Sequence, residues 1–206
     1  MQLELLSQSD LETLSGLIKD ARNIIVCCHK SPDGDAIGSS LAWADYLRQV
    51  GKDPLVIVPD AFPDFLRWLP GVEKVMRYDK HTALCNARIA EADLIFCLDF
   101  NTTCRVDDMQ QALDKATAQR VVFDHHLNPQ IDARLLVSFP LMSSTCEIVF
   151  RIVWQLGGFD LLTKQAAVAV YCGMMTDTGG FTYNSSRPEI YVIIGHLLTK
   201  GFDKDK

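Results

Sequence analysis

The chain has 206 residues, a formal net charge of −6, 48% hydrophobic residues and 22% charged residues. This composition is typical of an ordinary globular protein with room for one large domain. The negative charge argues against a basic surface built to hold long nucleic acid. No apolar stretch approaches the length needed to span a membrane, and the N-terminal residues lack the basic region of a signal peptide. We therefore expect neither a membrane partner nor secretion.

Seven cysteines form no Cys-x-x-Cys pair, and most lie inside apolar runs. A thiol in such a run behaves as a small core residue. The odd number and the missing pairs indicate a reducing compartment, so we expect a cytoplasmic protein.

Apolar strands alternate with amphipathic helices along the chain, which predicts a doubly wound, mostly parallel α/β sheet with helices on both faces. Aromatic residues near position 65, Phe62, Phe65 and Trp68, are interpreted as packing for a short helix. The predicted helices cover residues 3–22, 37–50, 81–91, 109–116, 145–156, 164–175 and 189–200. The predicted strands cover residues 23–28, 54–59, 72–76, 92–99, 120–126 and 135–139.

The loop after the first strand carries His29, Asp33 and Asp35 directly before a helix. In open α/β sheets, ligands bind beyond the carboxyl ends of the strands. Two carboxylates at a helix N-terminus would repel a bare phosphate, whereas a cation bound between acid and phosphate would be held by imidazole and carboxylate ligands. The alternative is a turn in which Asp33 caps the helix and Gly34 supplies backbone freedom. This segment alone leaves both interpretations open.

Two further strands end in acidic side chains, at Asp99 and at Asp124 with His125 and His126. An Asp after a strand is most often a helix cap or turn former, but three such ends meet at one edge of a parallel sheet. Asp177 lies at the C-terminal end of a buried helix, where the helix dipole disfavours an anion. Carboxylates that converge in one place raise one another's pKa values unless a cation neutralises them. The pattern therefore predicts a two-metal site.

The histidines differ in their surroundings. If the strand continues through His125 and His126, their side chains point to opposite faces, so only one need be a ligand. The other would hold substrate phosphate or orient an acid that binds the metal. His81 and His196 lie on helical segments without matching acidic neighbours, so we expect them to be structural or exposed.

The order and spacing of these motifs resemble the four-motif signature of the DHH phosphoesterase superfamily, from about residue 20 to the end of the chain. The segments 144–147 (Ser-Thr-Cys-Glu) and 176–181 (Thr-Asp-Thr-Gly-Gly-Phe) most resemble the branch of nanoRNases and 3′-phosphoadenosine-5′-phosphate (pAp) phosphatases. Members of this branch carry a second, C-terminal domain with a glycine- and histidine-containing motif, and no Gly-Gly-Gly-His-like sequence occurs here. We therefore expect residues 1–206 to be the catalytic domain alone, with an N-terminal helix in 1–22 and a connection toward a second domain from about 186.

The resemblance implies two Mn²⁺ ions, with Mg²⁺ or other divalent ions as alternatives. Asp99 would bridge the two ions. The implied ligands of the first ion are His29, Asp33 and Asp99, and those of the second are Asp35, Asp99, His125 and Asp177.

The implied reaction is two-metal hydrolysis, in which a bridging hydroxide attacks phosphorus in line. Asp124 would support the histidines, and His126 would face the scissile phosphate. Arg105 and Arg187 are the nearest candidates for phosphate contacts in the chain.

The implied substrates are short oligonucleotides, pAp or both. Family relatives instead cleave pyrophosphate, polyphosphate, or linear and cyclic dinucleotides. A binding module that had lost the chemistry should lack one or more ligands, and here all six are present. A dinucleotide-binding domain needs a Gly-x-Gly-x-x-Gly loop free of acids, and Asp33 and Asp35 occupy that place. Self-association as a homodimer is left open.

Overall fold

The computed structural model describes residues 3–205 and contains one six-stranded sheet in which every strand pair is parallel. The strands are β1 (Ile24–Cys27), β2 (Leu55–Val58), β3 (Met76–Arg77), β4 (Leu94–Leu98), β5 (Gln119–Asp124) and β6 (Leu135–Ser138). The α-helices are α1 (Gln8–Asp20), α2 (Gly34–Gln49), α3 (Thr82–Glu91), α4 (Gln110–Lys115), α5 (Thr145–Gln155), α6 (Lys164–Asp177) and α7 (Pro188–Leu198). The predicted α/β class is confirmed.

The strand order is β3-β2-β1-β4-β5-β6. The chain builds outward from β1 in one direction through β2 and β3, then returns and builds outward in the other direction from β4. The reversal leaves a crevice between the carboxyl ends of β1 and β4, which is where ligands bind in open sheets of this kind. Cys27 of β1 is in register with Cys97 of β4, so both strands end at the same level.

The sheet separates two apolar cores because successive side chains of a strand point to opposite faces. Val26 and Phe96 pack with α1, α2 and α5 on the larger face, where α6 and α7 form an outer layer. Cys27 and Cys97 point the other way and pack against α3, α4 and the 3₁₀ helix Thr103–Met109. Helices therefore cover both faces, as predicted.

Glycines allow α2 and α6 to approach very closely. A Cβ at Gly38 of α2 would overlap the backbone oxygen of Ala169 of α6, and a Cβ at Gly173 of α6 would lie 3.0 Å from the Cα of Asp35 in α2, besides overlapping Cys146 Sγ of α5. This contact places the N-terminus of α2 beside the C-terminal half of α6. It therefore determines how far the acidic residues of the two helices lie from each other.

The two largest boundary errors concern the first helix and the third strand. The first helix begins at Gln8 because Ser7 caps it, and the preceding Leu5 and Leu6 donate their backbone N–H groups to Gln155 Oε1 instead. Residues 72–74 form a 3₁₀ turn that follows Gly71 in the left-handed region, so β3 is only Met76–Arg77.

Two aromatic residues predicted to pack are exposed. Residues 64–66 form a 3₁₀ turn in which Leu66 is buried, whereas Phe65 and Trp68 are about three-fifths exposed. The short turn buries one side of the segment only, so both aromatic rings face solvent. Within residues 3–205, no helix combines the length and the apolar character required to cross a bilayer.

Candidate metal centre

The predicted ligands converge at the carboxyl edge of the sheet. His29 follows β1, Asp99 follows β4, His125 follows β5, and Asp177 is the last residue of α6. The parallel strands end side by side, and the contact between α2 and α6 closes the cluster from the helical side.

Asp33 combines the two alternatives that the sequence left open. Its Oδ1 caps α2 by accepting the N–H groups of Asp35 (3.0 Å) and Ala36 (3.0 Å). Its Oδ2 lies 3.8 Å from His29 Nε2 and is free of the cap. One carboxylate oxygen therefore holds the helix start while the other faces the cluster.

Asp35 is fully buried and is held by the start of α5. Its Oδ2 accepts the Thr145 N–H (2.6 Å) and its Oδ1 accepts the Cys146 N–H (2.8 Å). Oδ2 also lies 3.8 Å from His125 Nε2. The N-terminus of one helix thus stabilises the carboxylate of another, as expected for an anion near the positive end of a helix dipole.

Asp99 is the central residue of the cluster. Its Oδ2 lies 3.4 Å from His29 Nε2, and its Oδ1 lies 3.5 Å from His125 Nε2. The Thr145 hydroxyl donates to Oδ1 (2.9 Å). The backbone of Asp99 has φ 65°, a left-handed conformation that non-glycine residues seldom adopt. The turn after β4 therefore presents one carboxylate oxygen to each histidine.

Two histidines are oriented by backbone carbonyl groups. His29 Nδ1–H donates to the Lys30 carbonyl (2.7 Å), and His125 Nδ1–H donates to the Met142 carbonyl at 3.4 Å. A carbonyl oxygen can only accept, so each Nε2 is left unprotonated in the neutral ring and faces the acids. This arrangement is usual for histidines that bind metal ions.

His126 is oriented differently. Its Nδ1–H donates to Asp124 Oδ1 (2.7 Å), and its backbone N–H donates to Asp124 Oδ2 (3.1 Å). The two histidines do not lie on opposite faces, because β5 ends at Asp124 and the chain turns there. The rings of His125 and His126 are 4.8 Å apart, and that of His126 is the more exposed. Since Asp124 occupies Nδ1, the other ring nitrogen of His126 is left for a ligand.

The cluster fits divalent cations by its donor chemistry. Three groups each bring donor atoms within 4.8 Å of one another: His29 with Asp33 and Asp99, Asp35 with His125 and Asp177, and Asp99 with His125 and His126. Mixed imidazole and carboxylate donors suit Mn²⁺ and other first-row ions. The first two groups correspond to the two predicted ligand sets, with Asp99 between them.

The electrostatics of the cluster also favour a cation. Burial raises the pKa of Asp35, and the nearby Asp99 and Asp177 raise it further. Burial also raises the pKa of Asp177. Burial disfavours the charged form of His125, but hydrogen bonds to Asp177 and Asp99 outweigh it and raise its pKa to about 11. Burial similarly opposes ionisation of Asp99, yet His125 and His29 lower its pKa. The negative charges of the acids therefore repel one another in a buried place, and a bound divalent ion would supply the positive charge that offsets this repulsion.

The remaining candidates lie around the cluster or away from it. The Arg105 carbonyl accepts the Lys30 N–H (2.7 Å), which ties the 3₁₀ helix that carries Arg105 to the His29 loop. Arg187 Nη2 bonds to Glu147 Oε2 (2.6 Å), so part of its guanidinium is already occupied. His81 is exposed, and His196 packs 4.6 Å from the Trp154 ring. Neither of these two histidines belongs to the cluster, as predicted.

Sequence reasoning missed the segment that supports the ligands. Thr145 contributes its backbone N–H and its hydroxyl to the cluster. Cys146 contributes its backbone N–H, and Met142 contributes its backbone carbonyl. The signal was present in residues 144–147, which form half of the predicted capping box. Ser144 Oγ accepts the Glu147 N–H (3.0 Å), but the Glu147 carboxylate accepts the N–H of Ser143 in place of that of Ser144. A capping box indicates only where a helix begins, and not what its free N–H groups bind.

Residues 23–174 match the DHH family, N-terminal domain. Over 193 residues the chain is 31% identical to the bifunctional oligoribonuclease and PAP phosphatase NrnA of Thermus thermophilus. This similarity covers 86% of the chain and 50% of that relative, so the chain spans about half the length of the relative.

Two solved structures share the fold. An exopolyphosphatase-related protein from Bacteroides fragilis superposes with a TM-score of 0.95 at 45% identity, covering 97% of this chain and 58% of that one. The exonuclease RecJ bound to manganese superposes with a TM-score of 0.53 at 16% identity, covering 96% and 49%. The second likeness concerns the fold alone.

Proposed function

This chain belongs to the DHH family, and we propose that it is a two-metal, manganese-dependent phosphoesterase that hydrolyses short oligonucleotides, pAp or both. The position of Asp99 carries the proposal, because its two carboxylate oxygens face two separate groups of ligands. A single carboxylate shared by two imidazole-containing groups is the arrangement that a pair of bridged divalent ions requires.

The proposed ligand sets follow the geometry. His29, Asp33 and Asp99 would hold one ion, and Asp35, Asp99, His125 and Asp177 would hold the other. Such ions, when bound, supply charge stabilisation and an activated water to phosphoester hydrolysis. The mixed imidazole and carboxylate donors of this chain suit Mn²⁺, the ion bound in the RecJ structure that shares the fold.

The substrate would be oriented by groups at the rim of the cluster. Asp124 fixes His126 through two hydrogen bonds, which leaves the second ring nitrogen, Nε2, open for contact with the phosphate group. We also propose Arg105 and Arg187 as phosphate contacts. Arg187 would use the part of its guanidinium that Glu147 does not occupy, and about a third of its side chain is exposed.

The substrate class is inferred from the similarity to NrnA, and the net charge of −6 favours a small substrate over long nucleic acid. We propose that residues 1–206 form the catalytic domain and that the segment from about 186 leads toward a substrate-binding domain like that of the longer relatives. A cytoplasmic location agrees with seven free cysteines. Formation of a homodimer stays a prediction, which sedimentation analysis would test.

Metal content and hydrolysis, measured together, test the proposal. The metal-free chain is titrated with Mn²⁺, and then pAp, a linear dinucleotide, a cyclic dinucleotide and pyrophosphate are assayed as separate substrates. Two ions per chain with cleavage of pAp or the linear dinucleotide is the expected result. Cleavage of only the cyclic dinucleotide would support the phosphoesterase but overturn the substrate class. Cleavage of only pyrophosphate, which is a phosphoanhydride, would overturn the phosphoesterase in favour of another metal-dependent hydrolase. Binding of no metal would overturn the whole site.

If the chain binds two ions but is inactive, two explanations are left: substrate binding needs a second domain, or the protein has no catalytic function. The same assay on a longer chain that includes a second domain then decides between them. Activity of the longer chain would mean that substrate binding needs the second domain. Inactivity there as well would favour the alternative function, a metal- or nucleotide-binding module without catalysis.

A further inference from the structure

We propose that Glu147 is a positioning residue of the metal centre, which acts through the segment from Met142 to Cys146. This proposal rests on the proposed function, because the residues that Glu147 would position are the predicted metal ligands. It assigns to Glu147 and Arg187 a role that their sequence positions did not indicate.

Glu147 is fully buried and accepts hydrogen bonds from three directions. Its Oε2 accepts the Ser143 N–H (2.8 Å), the Ser143 hydroxyl (2.7 Å) and Arg187 Nη2 (2.6 Å). Its Oε1 accepts Arg151 Nε (2.9 Å) and lies 2.8 Å from Arg151 Nη2. A buried carboxylate with this many donors is confined to one position, because leaving any of these groups unpaired is costly.

The segment that Glu147 holds contacts three of the six predicted ligands. Thr145 and Cys146 donate their backbone N–H groups to Asp35, and the Thr145 hydroxyl donates to Asp99. At the other end of the segment, the Met142 carbonyl accepts from His125. A displacement of these few residues would therefore move the partners of three ligands together.

The function of Glu147 differs from that of a helix cap. The helix start is already held by Ser144 Oγ, which accepts the Glu147 N–H, and a side-chain change at 147 leaves this bond in place. The carboxylate instead connects Ser143, which precedes the cap residue Ser144, to Arg151, which lies one turn after Glu147 in α5. Arg187 adds a tie to the chain that follows Asp177, at the entrance of α7.

Two substitutions separate this role from general stability. Glu147→Gln keeps the size of the side chain and removes the charge that pairs with both arginines. Arg187→Met removes one partner while leaving Arg151 and Ser143 on Glu147. The matched control is Asp45→Asn, because Asp45 is a half-buried acid that accepts from the Thr163 hydroxyl at the start of α6 and has no contact with the cluster.

The first measurement is amide hydrogen exchange of Thr145 and Cys146 in the metal-free protein. We expect both amides to exchange at least ~10-fold faster in Glu147→Gln and several-fold faster in Arg187→Met, because their bonds to Asp35 lengthen. In Asp45→Asn the rates should stay within about twofold of those of the unaltered protein. Should Glu147→Gln fail to fold, Arg187→Met decides, since it removes a side chain that is partly exposed.

The second measurement is the affinity for Mn²⁺, obtained by titration from the electron paramagnetic resonance signal of the free ion. Loss of a direct partner of a metal ligand typically weakens binding ~10–100-fold, and Glu147 acts one step further out, through residues 142–146. We therefore expect an effect of ~10-fold, at the lower end of this range, for Glu147→Gln. Unaltered exchange rates in folded Glu147→Gln and Arg187→Met would overturn the proposal, and so would unaltered affinity in both. If the unsubstituted chain bound no Mn²⁺, the proposed function would fail, and the exchange rates alone would decide the role of Glu147.

Discussion

The two predicted ligand groups differ in how the protein holds them. In the first group, with His29, Asp33 and Asp99, the Asp33 side chain is 55% exposed and lies on a loop. In the second group, with Asp35, His125 and Asp177, the Asp35 side chain is fully buried and both of its oxygens are fixed by the start of α5. We call these the open group and the buried group after Asp33 and Asp35, the members in which they differ most. The other members differ little, since His29 and Asp99 are 8% and 2% exposed and His125 and Asp177 are 15% and 20% exposed.

The difference teaches that the two halves of one centre are built by different means. In the buried group, the start of α5 leaves Asp35 little freedom, so the position of this ligand exists before an ion arrives. In the open group, Asp33 lies next to solvent, which gives a ligand a place to enter and leave. We expect the buried group to hold its ion more tightly and the open group to exchange its ion and accept substrate.

The largest effect is expected where the groups meet. Asp99→Asn should lower hydrolysis by at least ~10³-fold and weaken binding of both ions, because losing a shared carboxylate removes several kcal/mol of charge stabilisation. Asn is preferred to Ala because Asn tolerates the left-handed backbone at this position. The check is turnover together with bound Mn²⁺ per chain, and retained turnover would count against the assignment.

A smaller effect should distinguish the groups. Asp35→Asn should weaken Mn²⁺ binding by ~100-fold or more and lower the melting temperature, because its new amide N–H₂ would face the N–H of Thr145 or Cys146. Asp33→Asn should cost ~10-fold in affinity and little stability, because Asn is as good a helix cap as Asp. Calorimetry and thermal unfolding measure both variants. Equal losses in the two would contradict the distinction.

The pH dependence of stability and of Mn²⁺ affinity follows from His125 of the buried group. In the metal-free protein its pKa is raised to about 11, above the unfolded value of ~6.5. Its ion pairs therefore stabilise the fold fully below pH ~6.5, and this contribution is lost as the pH rises toward about 11. A metal ion must displace the proton, so Mn²⁺ affinity should rise up to ~10-fold per pH unit between pH 6.5 and 9.

Titration calorimetry in two buffers of different ionisation enthalpy checks this proton release. The observed enthalpy should depend on the buffer in proportion to the protons released. His125→Asn supplies the comparison, since it removes the titrating group. Identical enthalpies in the two buffers for the unaltered protein would contradict proton displacement.

The smallest effect is expected outside both groups. His81→Ala should change Mn²⁺ affinity and turnover by less than about twofold, because this side chain is exposed and remote from the acids. A large loss of metal in this variant would mean that the wrong histidines have been placed in the groups.

Local patterns were enough to predict much of this architecture. The acids of both groups follow apolar strands or end a buried helix, and parallel strands must end at a common edge. What the sequence did not indicate depends on contacts between distant residues. Asp35 and Thr145 are 110 residues apart, and no periodicity relates a helix start to the carboxylate that it binds.

The smaller errors have similar causes. Val72 was placed in a strand, although its burial in a 3₁₀ turn gives the same apolar signal. Trp68 was placed in a packed helix, yet the turn that forms there is too short to bury it. The sequence could not separate the two interpretations of Asp33, helix cap and metal ligand, because one of its oxygens accepts the N–H groups of the helix start and the other faces the cluster.

The close contact between α2 and α6 has a consequence for how such a protein can diversify. Because the spacing of Asp35 and Asp177 follows from backbone packing at Gly38 and Gly173, it is insensitive to changes in surrounding loops. Sequence drift in the loops can then alter which molecules are accepted while the distances between these acids persist. A single added methyl group at Gly173 would do the opposite, because it would meet Cys146 Sγ and Asp35 Oδ1 and so displace an acid of the cluster without touching the loops. Recognition and ion chemistry would thus evolve at separate positions.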